Sequence, residues 1–417
     1  MIGVLRMPDE VRFGAGVRQG IPAALLRFGR RVFIVADPFL ATTVEFGELT
    51  RALERAGAEV AVHTDVPPEL PVAVVEESGR AAVAFAPDVV LGYGGGSALD
   101  AAKLIAVVMA HGAPLSRFYG ENAVPGPVIP IVAVPTTAGT GSEVTPVAVV
   151  SDPERALKVG VSSPYLVPRV AFVDPDLTVG APRGVTVASG IDAFVHAVES
   201  YTAAELSLDQ AGELPVFVGR NILTAGTSLE AARLIYRALP AVVANPGDRA
   251  ARADMARGSL LAGIAFGSTG THLSHAIQYP VGALTKTPHG VGTGAMLPYV
   301  LQALRPTIDE RLVELGQAMG VLPPGGQSDA AAAQSVVDAI ADLCRGIGVP
   351  VGLDEIGVSA QDVTSIVDLT LQVGRLVAIS PRTADRALIE RIVAAAVAGE
   401  RSLLIPSPAS SSHTRPD

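Results

Sequence analysis

Short apolar runs alternate with helical patterns through the first half of the chain, and this alternation constrains the fold more than any other feature. The runs Arg31–Ala36, Asp88–Gly92 and Val128–Val134 have the length and β-branched content of buried strands. The stretches Val72–Phe85 and Ala98–Ala110 between them have helical periodicity. Because strands that alternate with helices form βαβ units, the sequence predicts a parallel sheet covered by helices on both faces. Further predicted elements are the helix Phe46–Ala56 and the short strands Val60–His63, Val147–Ser151, Lys158–Val161 and Val170–Val173.

The pattern changes near Pro182, and helical periodicity predominates from there to Ala398. The sequence therefore predicts an α/β domain over residues 1–181, an all-helical domain over 182–405 and a disordered Ser/Pro-rich tail over 406–417. One segment, Leu206–Gly226, interrupts the helical pattern with Gly, Pro and polar residues, and it predicts a long loop.

Composition excludes several classes of protein. A net charge of −10, without a block of like charges, argues against a nucleic-acid partner, which needs a basic face. No window offers about 18 apolar residues without Gly, Pro or charge, so we expect no membrane span. The single cysteine, Cys344, excludes a disulfide framework, and the start of the chain has no secretory pattern. We therefore expect a cytoplasmic protein.

A glycine run follows the third predicted strand. In Gly94-Gly95-Gly96-Ser97 the backbone can approach a ligand closely, and the next helix offers free N–H groups to a pyrophosphate. The spacing differs from G-x-G-x-x-G, so a tight turn without a ligand is the alternative. Asp37 ends the first strand, where an acidic side chain can bind the ribose hydroxyls of a dinucleotide. Its alternative role is a turn or cap before Pro38.

A second candidate loop, Pro135–Glu143, follows the fourth strand and contains Thr136, Thr137 and Thr140. Ligands of open α/β sheets bind at the carboxyl ends of the strands, so these hydroxyls are placed to hold a ribose or a nicotinamide. A capping box made by a hydroxyl and Glu143 is the alternative.

The histidines concentrate in the helical half. Asp192 and His196 are four residues apart, which places both side chains on one helix face. His275 and His289 follow further along the chain. One Asp with three His forms a mixed oxygen and nitrogen set that suits Zn²⁺ or Fe²⁺. A buried Asp–His pair without metal is the alternative for the first two residues.

Together these residues resemble the iron-containing (group III) alcohol dehydrogenases, which have a dehydroquinate-synthase-like fold. The blocks that carry the resemblance are Gly94–Lys103, Pro135–Thr145, Gly190–Tyr201 and His275–Gly290. They occur in the family's order, and the resemblance extends from about Asp9 to Ala398.

The resemblance implies an α/β NAD(P)-binding domain, a helical metal domain, and NAD(H) or NADP(H) with Fe²⁺ or Zn²⁺ as cofactors. It implies that Asp192, His196, His275 and His289 are the metal ligands and catalytic residues. The implied cofactor-binding residues are Asp37, Gly94, Gly95, Gly96, Ser97, Thr136, Thr137, Thr140, Lys158 and Leu177. Phe266 is expected to form part of the substrate wall.

The sequence departs from the family at Tyr279, where relatives often carry a second histidine. Tyr279 either takes the place of that histidine in a proton relay or simply packs. The insertion Leu206–Gly226 and the shape of Thr271–His275 are more similar to the hydroxyacid-oxoacid transhydrogenase branch and to phosphonoacetaldehyde reductases. Both kinds act on small acids, and an anionic substrate needs a cation near the metal. The candidates in the sequence are Arg220, His272 and Lys286.

The resulting expectation is an NAD(P)-linked reductase of a small, anionic aldehyde or ketone, such as phosphonoacetaldehyde or succinic semialdehyde. Two alternatives stay open: a hydroxyacid-oxoacid transhydrogenase, and a non-redox lyase of the dehydroquinate-synthase type. The expected partner is a small-molecule substrate, and we expect a homodimer, as in many members of the family.

Overall fold

A computed structural model describes residues 3–209, 211–325 and 329–405. Its strands in chain order are β1 (Glu10–Phe13), β2 (Arg31–Ala36), β3 (Glu59–His63), β4 (Val89–Gly94), β5 (Gly120–Glu121), β6 (Ile131–Pro135), β7 (Val147–Val150), β8 (Val159–Ser162) and β9 (Val170–Val173). Within the described ranges, six of these strands form one fully parallel sheet in the order β1-β9-β6-β4-β2-β3. The predicted fold class, a parallel α/β half followed by a helical half, is confirmed.

The chain reverses its direction across the sheet between β2 and β4. From β2 the chain moves outward to β3, and it then returns to place β4 on the other side of β2. The residues that follow β2 and β4 therefore lie at a topological switch point, where open α/β sheets bind ligands. Asp37 and the Gly94–Ser97 loop occupy this edge, and a Cβ on Gly94 would lie 3.8 Å from the backbone nitrogen of Asp37.

The helices of the first half are α1 (Ile21–Leu25), α2 (Val44–Arg55), α3 (Val72–Phe85) and α4 (Gly96–His111). Apolar side chains cover both faces of the sheet. Phe33, Val35 and Val90 pack into one buried cluster with α4, whereas Val32 and Ile34 pack into another with α2. This two-sided burial explains why the central strands are continuous apolar runs.

The second half consists of helices packed around one core. The helices are α5 (Arg183–Thr202), α6 (Ile222–Ala244), α7 (Arg249–Thr269), α8 (Leu273–Thr285), α9 (His289–Leu304), α10 (Asp309–Met319), α11 (Ala330–Ile347), α12 (Val363–Gln372), α13 (Gly374–Ala378) and α14 (Arg386–Ala398). Their core includes Ala171 and Val173 of β9, so it extends to the sheet. None of the helices in the described ranges is both long and apolar enough to cross a bilayer.

Three sequence-based details differ from the structure. Strand β1 was missed because its four residues, EVRF, alternate charge and apolar groups too briefly to form a pattern. Strands β7 and β8 do not join the main sheet but pair antiparallel with each other, and β5 pairs with β8. The loop predicted over Leu206–Gly226 ends earlier, because the Asn221 side chain caps α6 by accepting the N–H of Leu223.

The division of the chain at residues 181 and 182 stays a prediction, although α5 begins at Arg183. The tail over 406–417 lies outside the described residues.

Candidate active site

Helices α5 and α8 bring three candidate metal ligands together. Asp192 and His196 lie one turn apart on α5, and His275 lies near the start of α8. All three are buried, and their ligand atoms lie within 4.8 Å of one another. The Nε2 atoms of His196 and His275 each lie 3.8 Å from a carboxylate oxygen of Asp192. These separations exceed hydrogen-bond length and leave room between the ligand atoms.

The fourth candidate, His289, is the first residue of α9. Its Nε2 lies 3.8 Å from Oδ1 of Asp192, and its ring centroid lies 5.4 Å from that of His275. Its side chain is 38% exposed, unlike those of the other three. His289 therefore completes the group from the open side of the cavity.

The protonation state of this group fits a metal ion. Burial lowers the pKa of His289 to about 4 and holds that of His196 well below its usual range, with neighbouring histidines adding to both effects. Neutral imidazole is the form that binds metals. Among the described residues, the buried Nε2 of His275 has no hydrogen-bond partner, as expected for an atom that a metal would satisfy. The donor set suits both Fe²⁺ and Zn²⁺; intrinsic affinity favours Zn²⁺, so occupancy depends on which metal is available.

Glu199 orients His275 from behind, and sequence reasoning missed it. Its Oε2 accepts a hydrogen bond from Nδ1 of His275 at 2.7 Å and from the backbone N–H of His272 at 2.8 Å. Burial would raise the pKa of Glu199, but the adjacent His272 and His275 and the N–H of Ser274 hold it below its usual range. A carboxylate on Nδ1 leaves Nε2 of His275 free for a metal. The available signal was spacing, because Asp192, His196 and Glu199 share one face of α5.

Two loops, Gly94–Ser97 (the glycine loop) and Pro135–Glu143 (the threonine loop), face each other at the sheet edge. A Cβ on Gly96 would come within 2.7 Å of Cγ2 of Thr140, and a Cβ on Gly95 would lie 3.5 Å from Thr137. The backbone N–H of Thr136 donates to the carbonyl of Gly94 at 2.9 Å. Gly96 begins α4, so the N-terminus of that helix points to the space between the loops. A glycine cradle at a helix N-terminus fits a pyrophosphate.

The other residues predicted to bind the cofactor make contacts of their own within the first half of the chain. Oδ1 of Asp37 accepts the N–H of Phe39 at 2.8 Å, so this carboxylate caps its own turn at the end of β2. Lys158 pairs with Glu69 at 3.1 Å, and Leu177 packs against one of the sheet clusters. Ser97 donates to the carbonyl of Pro68 at 2.9 Å.

Buried charges support the threonine loop from behind. Asp100 accepts the Ser142 hydroxyl at 2.6 Å and the N–H of Val149 at 2.9 Å. The fully buried Lys103 donates to the carbonyls of Thr145 and Val147, both at 2.8 Å. Burial lowers the pKa of Lys103 to about 8, although Asp100 opposes that shift, and burial raises the pKa of Glu143 to about 7. Asp100 and Lys103 belong to the first family block, but no role was predicted for them.

One cavity of about 240 Å³ joins the two halves of the site. Its lining includes Gly96, Ser97, Asp100, Thr140, Lys158, Asp192, His196, Phe217, Phe266, His275, Tyr279, His289 and Arg375. Phe266 stacks on His196 with ring centroids 4.1 Å apart, so it covers the metal ligands on one side. Tyr279 also lines a neighbouring cavity, which contains Lys286.

Beside this cavity, the sheet half and the helical half are in contact through two glycines. A Cβ on Gly141 in the threonine loop would lie 2.6 Å from Cα of Gly263 in α7. The φ of Gly141 is +62°, which favours glycine as well. The close contact brings the sheet loops next to the metal ligands.

The structure separates the predicted substrate cations. Arg220 pairs with Glu205 at 2.7 Å and stacks on Tyr201, away from the cavity. His272 is fully buried and contacts Thr202 and Glu199, so it supports the metal ligands instead of facing a substrate. Lys286 lines only the neighbouring cavity. Arg375, which sequence reasoning missed, lines the cavity with the metal ligands.

Comparisons with known proteins agree with this architecture. Residues 8–175 match the iron-containing alcohol dehydrogenase family, and residues 186–397 match the C-terminal region of the Fe-containing alcohol dehydrogenase family. Long-chain-alcohol dehydrogenase 1 of Geobacillus thermodenitrificans is 36% identical over 94% of this chain and 96% of its own length. The mitochondrial hydroxyacid-oxoacid transhydrogenase of Caenorhabditis elegans is 30% identical over 92% of this chain and 88% of its own length.

Solved structures give the same result. A 1,3-propanediol oxidoreductase superposes with a TM-score of 0.88 at 30% identity, covering 95% of this chain and 100% of that one. A sulfoacetaldehyde reductase from Bifidobacterium kashiwanohense, solved with NAD⁺, has a TM-score of 0.79 at 26% identity, with 95% and 99% coverage. The chain belongs to the iron-containing alcohol dehydrogenase family, whose members are oxidoreductases that use NAD(H) and iron. This membership confirms the redox expectation and removes the lyase alternative.

Proposed function

We propose that this chain interconverts a small, anionic aldehyde or ketone and its alcohol, with NAD(H) and a divalent metal as cofactors. The observation that carries this proposal is the shared cavity. The cluster of Asp192, His196 and His275 and the contact between Gly96 and Thr140 border the same space. Hydride transfer needs the reacting atoms within about 3–3.5 Å, which a single small cavity between the two groups allows.

The proposed metal ligands are Asp192, His196, His275 and His289. When bound, the metal supplies Lewis acidity for a carbonyl oxygen, and the nicotinamide gives or accepts a hydride. Glu199 fixes the ring of His275, and Phe266 covers His196 and reduces the access of water. Phe266 and Tyr279 are proposed as walls of the substrate pocket.

The proposed cofactor site follows the sheet edge. Backbone N–H groups of Gly94–Ser97 bind the pyrophosphate, and the carboxylate of Asp37 binds the adenosine ribose and disfavours the 2′-phosphate of NADP. Thr136, Thr137 and Thr140 line the nucleotide, Lys158 reaches the nicotinamide ribose, and Leu177 packs near the nucleotide.

The test uses metal-stripped protein that is reloaded with Fe²⁺ or Zn²⁺. Oxidation of NADH and NADPH is followed with succinic semialdehyde, phosphonoacetaldehyde, sulfoacetaldehyde and neutral aldehydes from short to long. We expect metal-dependent oxidation of NADH, faster with short anionic aldehydes. Equal rates with and without metal, or a preference for long neutral aldehydes, would contradict the proposal.

A hydroxyacid-oxoacid transhydrogenase is the second candidate. It is favoured by the relative in Caenorhabditis elegans, whose match covers 92% of this chain. It is also favoured by the insertion Leu206–Gly226, because Phe217 in that insertion lines the cavity. In that case added NADH is not consumed with an aldehyde alone, and a hydroxy acid is oxidised only when an oxo acid is present. Turnover assays with each acid alone and with both together separate the two activities.

The cellular setting and the assembly are further parts of the proposal. We propose that the protein works in the cytoplasm as a homodimer. Sedimentation of the metal-loaded protein at several concentrations tests the dimer, and a mass of one chain at all concentrations would contradict it.

A further inference from the structure

Arg375 differs from the other partly buried arginines of the helical half. Arg252 donates to the carbonyl of Pro246 at 3.0 Å, and Arg311 donates to the carbonyls of Thr202 and Ala203 at 2.9 and 2.8 Å. Within residues 3–209, 211–325 and 329–405, the side chain of Arg375 contacts Phe217 and Glu121 but donates no hydrogen bond. A guanidinium presents several N–H donors, and leaving them unpaired in a partly buried position is unfavourable.

The side chain of Arg375 is held in place without being neutralised by a close ion pair. Its guanidinium stacks on the ring of Phe217, 4.2 Å from the ring centroid. Its Nε lies 3.7 Å from Oε1 of Glu121, beyond hydrogen-bond length. The side chain is 31% exposed and lines the cavity that contains the metal ligands. The observed contacts position the guanidinium and leave its donors available to a ligand.

The carboxylate of Glu121 binds backbone N–H groups of the insertion instead of forming a close ion pair with Arg375. Its Oε2 accepts the backbone N–H groups of Val216 and Phe217 at 2.8 and 3.3 Å. Arg6 holds the same segment by donating to the carbonyl of Val216 at 2.7 Å. These bonds fix the second part of the insertion, residues 211–221, hereafter the inserted loop, so that the buried Phe217 lies against the guanidinium of Arg375. The inserted loop therefore builds one wall of the cavity.

Helix packing also sets the position of Arg375 relative to the candidate metal ligands. Arg375 lies on α13, which packs against α8. Helix α8 carries the metal ligand candidate His275 and the cavity residue Tyr279. A ligand that reaches from the metal site to the guanidinium thus stays inside one cavity.

We infer that Arg375, seated on Phe217 of the inserted loop, binds a singly charged oxyanion group of the substrate, a carboxylate or a sulfonate. This inference rests on the proposed function for the identity of the reacting end. A guanidinium fork matches the spacing of two oxygens on such a group. A dianion such as phosphonate is disfavoured, because Asp100 and Asp192 line the cavity and Glu121 lies 3.7 Å from Nε of Arg375. The other cation of the lining, Lys158, already pairs with Glu69.

The test compares Arg375→Gln with the wild-type, metal-loaded enzyme on substrates of similar length. For succinic semialdehyde and sulfoacetaldehyde, kcat/KM is expected to fall about 10²-fold, whereas the value for butanal is unchanged. Phosphonoacetaldehyde is expected to be the poorest anionic substrate of the wild-type enzyme. The matched control is Arg386→Gln, which removes an exposed arginine of α14 that pairs with Asp368 outside the cavity. It should leave the ratio of anionic to neutral kcat/KM unchanged.

A binding measurement separates this inference from the proposed function. The dissociation constant of succinate, which cannot be reduced at an aldehyde carbon, is measured by calorimetry with metal- and NAD⁺-loaded protein. We expect it to rise about 10²-fold in Arg375→Gln. If no aldehyde is turned over but succinate binding depends on Arg375, the proposed function fails and the anion site stands. If Arg375→Gln weakens neutral and anionic ligands equally, or changes neither, the anion site is overturned.

Discussion

The two halves of the chain contribute to the cavity by different means. The sheet half offers mainly backbone, in a glycine loop and a threonine loop, and the side chains of Asp100 and Lys103 form hydrogen bonds that hold the threonine loop and the strand after it. The helical half offers side chains, and the buried Glu199 serves to orient one of them. A backbone site is damaged by adding atoms, whereas a side-chain site is damaged by removing them. This difference determines which substitutions should harm each half.

The largest effect is expected from removing a candidate metal ligand. In His275→Ala, kcat/KM should fall by at least about 10³-fold, because the metal and its electrostatic stabilisation of the forming alkoxide are lost. NADH binding, measured by fluorescence, should persist because the sheet loops are intact. The control His111→Ala removes a ring that contacts the carbonyl of Gly126 in the sheet half. A His275→Ala enzyme that keeps its metal and its activity would remove this residue from the site.

The buried carboxyl of the sheet half should appear in the pH dependence of stability. The folded pKa of Glu143, about 7, lies above its unfolded value of 4.5, so the folded state binds more protons between these values. Its stabilising contribution is therefore complete below pH 4.5 and is lost as the pH rises to 7. Between pH 5 and 7 the free energy of unfolding should fall by about 2 kcal/mol more in the wild type than in Glu143→Gln.

Urea unfolding of the metal-free protein at several pH values measures this difference. Glu48→Gln, which changes an exposed carboxyl on α2, is the control and should follow the wild type. Parallel curves for the wild type and Glu143→Gln would show that Glu143 is ionised at pH 5 in the folded protein.

A smaller effect is expected from replacing Glu199, which is hydrogen-bonded to the candidate metal ligand His275. Glu199→Gln keeps the size of the side chain but removes the charge that orients His275, so metal affinity should fall about 10–100-fold. Competition with a chelator of known affinity measures it, and NADH affinity is the internal control. Unchanged metal affinity would mean that the backbone alone holds His275.

The smallest effect is expected from adding one methyl group to the sheet half. In Gly96→Ala the new Cβ would lie 2.7 Å from Cγ2 of Thr140, so the loops must separate. The dissociation constant of NADH should rise about 10-fold, which corresponds to the lower part of the usual cost of overpacking. Metal content should not change. In the control Gly126→Ala the new Cβ meets only Cε1 of His111, at an ordinary 3.6 Å.

The sequence predicted the parallel sheet and the helical half because each depends on a local period. The candidate metal ligands were found through the concentration of histidines in the helical half and the four-residue spacing of Asp192 and His196, and the family resemblance then implied the same set. Arg375 could not be found in this way, because it follows Asp192 by more than 180 residues and its importance depends on lacking partners. Arg220 was chosen because it lies in the insertion Leu206–Gly226, and His272 because it precedes His275 by three residues. Their partners Glu205 and Glu199 are contacts that no periodicity reveals.

Gly141 and Gly263 keep the threonine loop and α7 in direct backbone contact, with no side chain between them. Because a Cβ on either glycine would lie within 2.8 Å of the other's Cα, any side chain there would force the threonine loop and α7 apart. The distance between the threonine loop and α7 is thus coupled to the absence of two methyl groups at positions outside the lining of the cavity. Under the proposed function, this distance also sets how far a hydride would travel. Graded substitution of Gly263 by Ala, Ser and Val would tune that distance without altering a chemical group of the site.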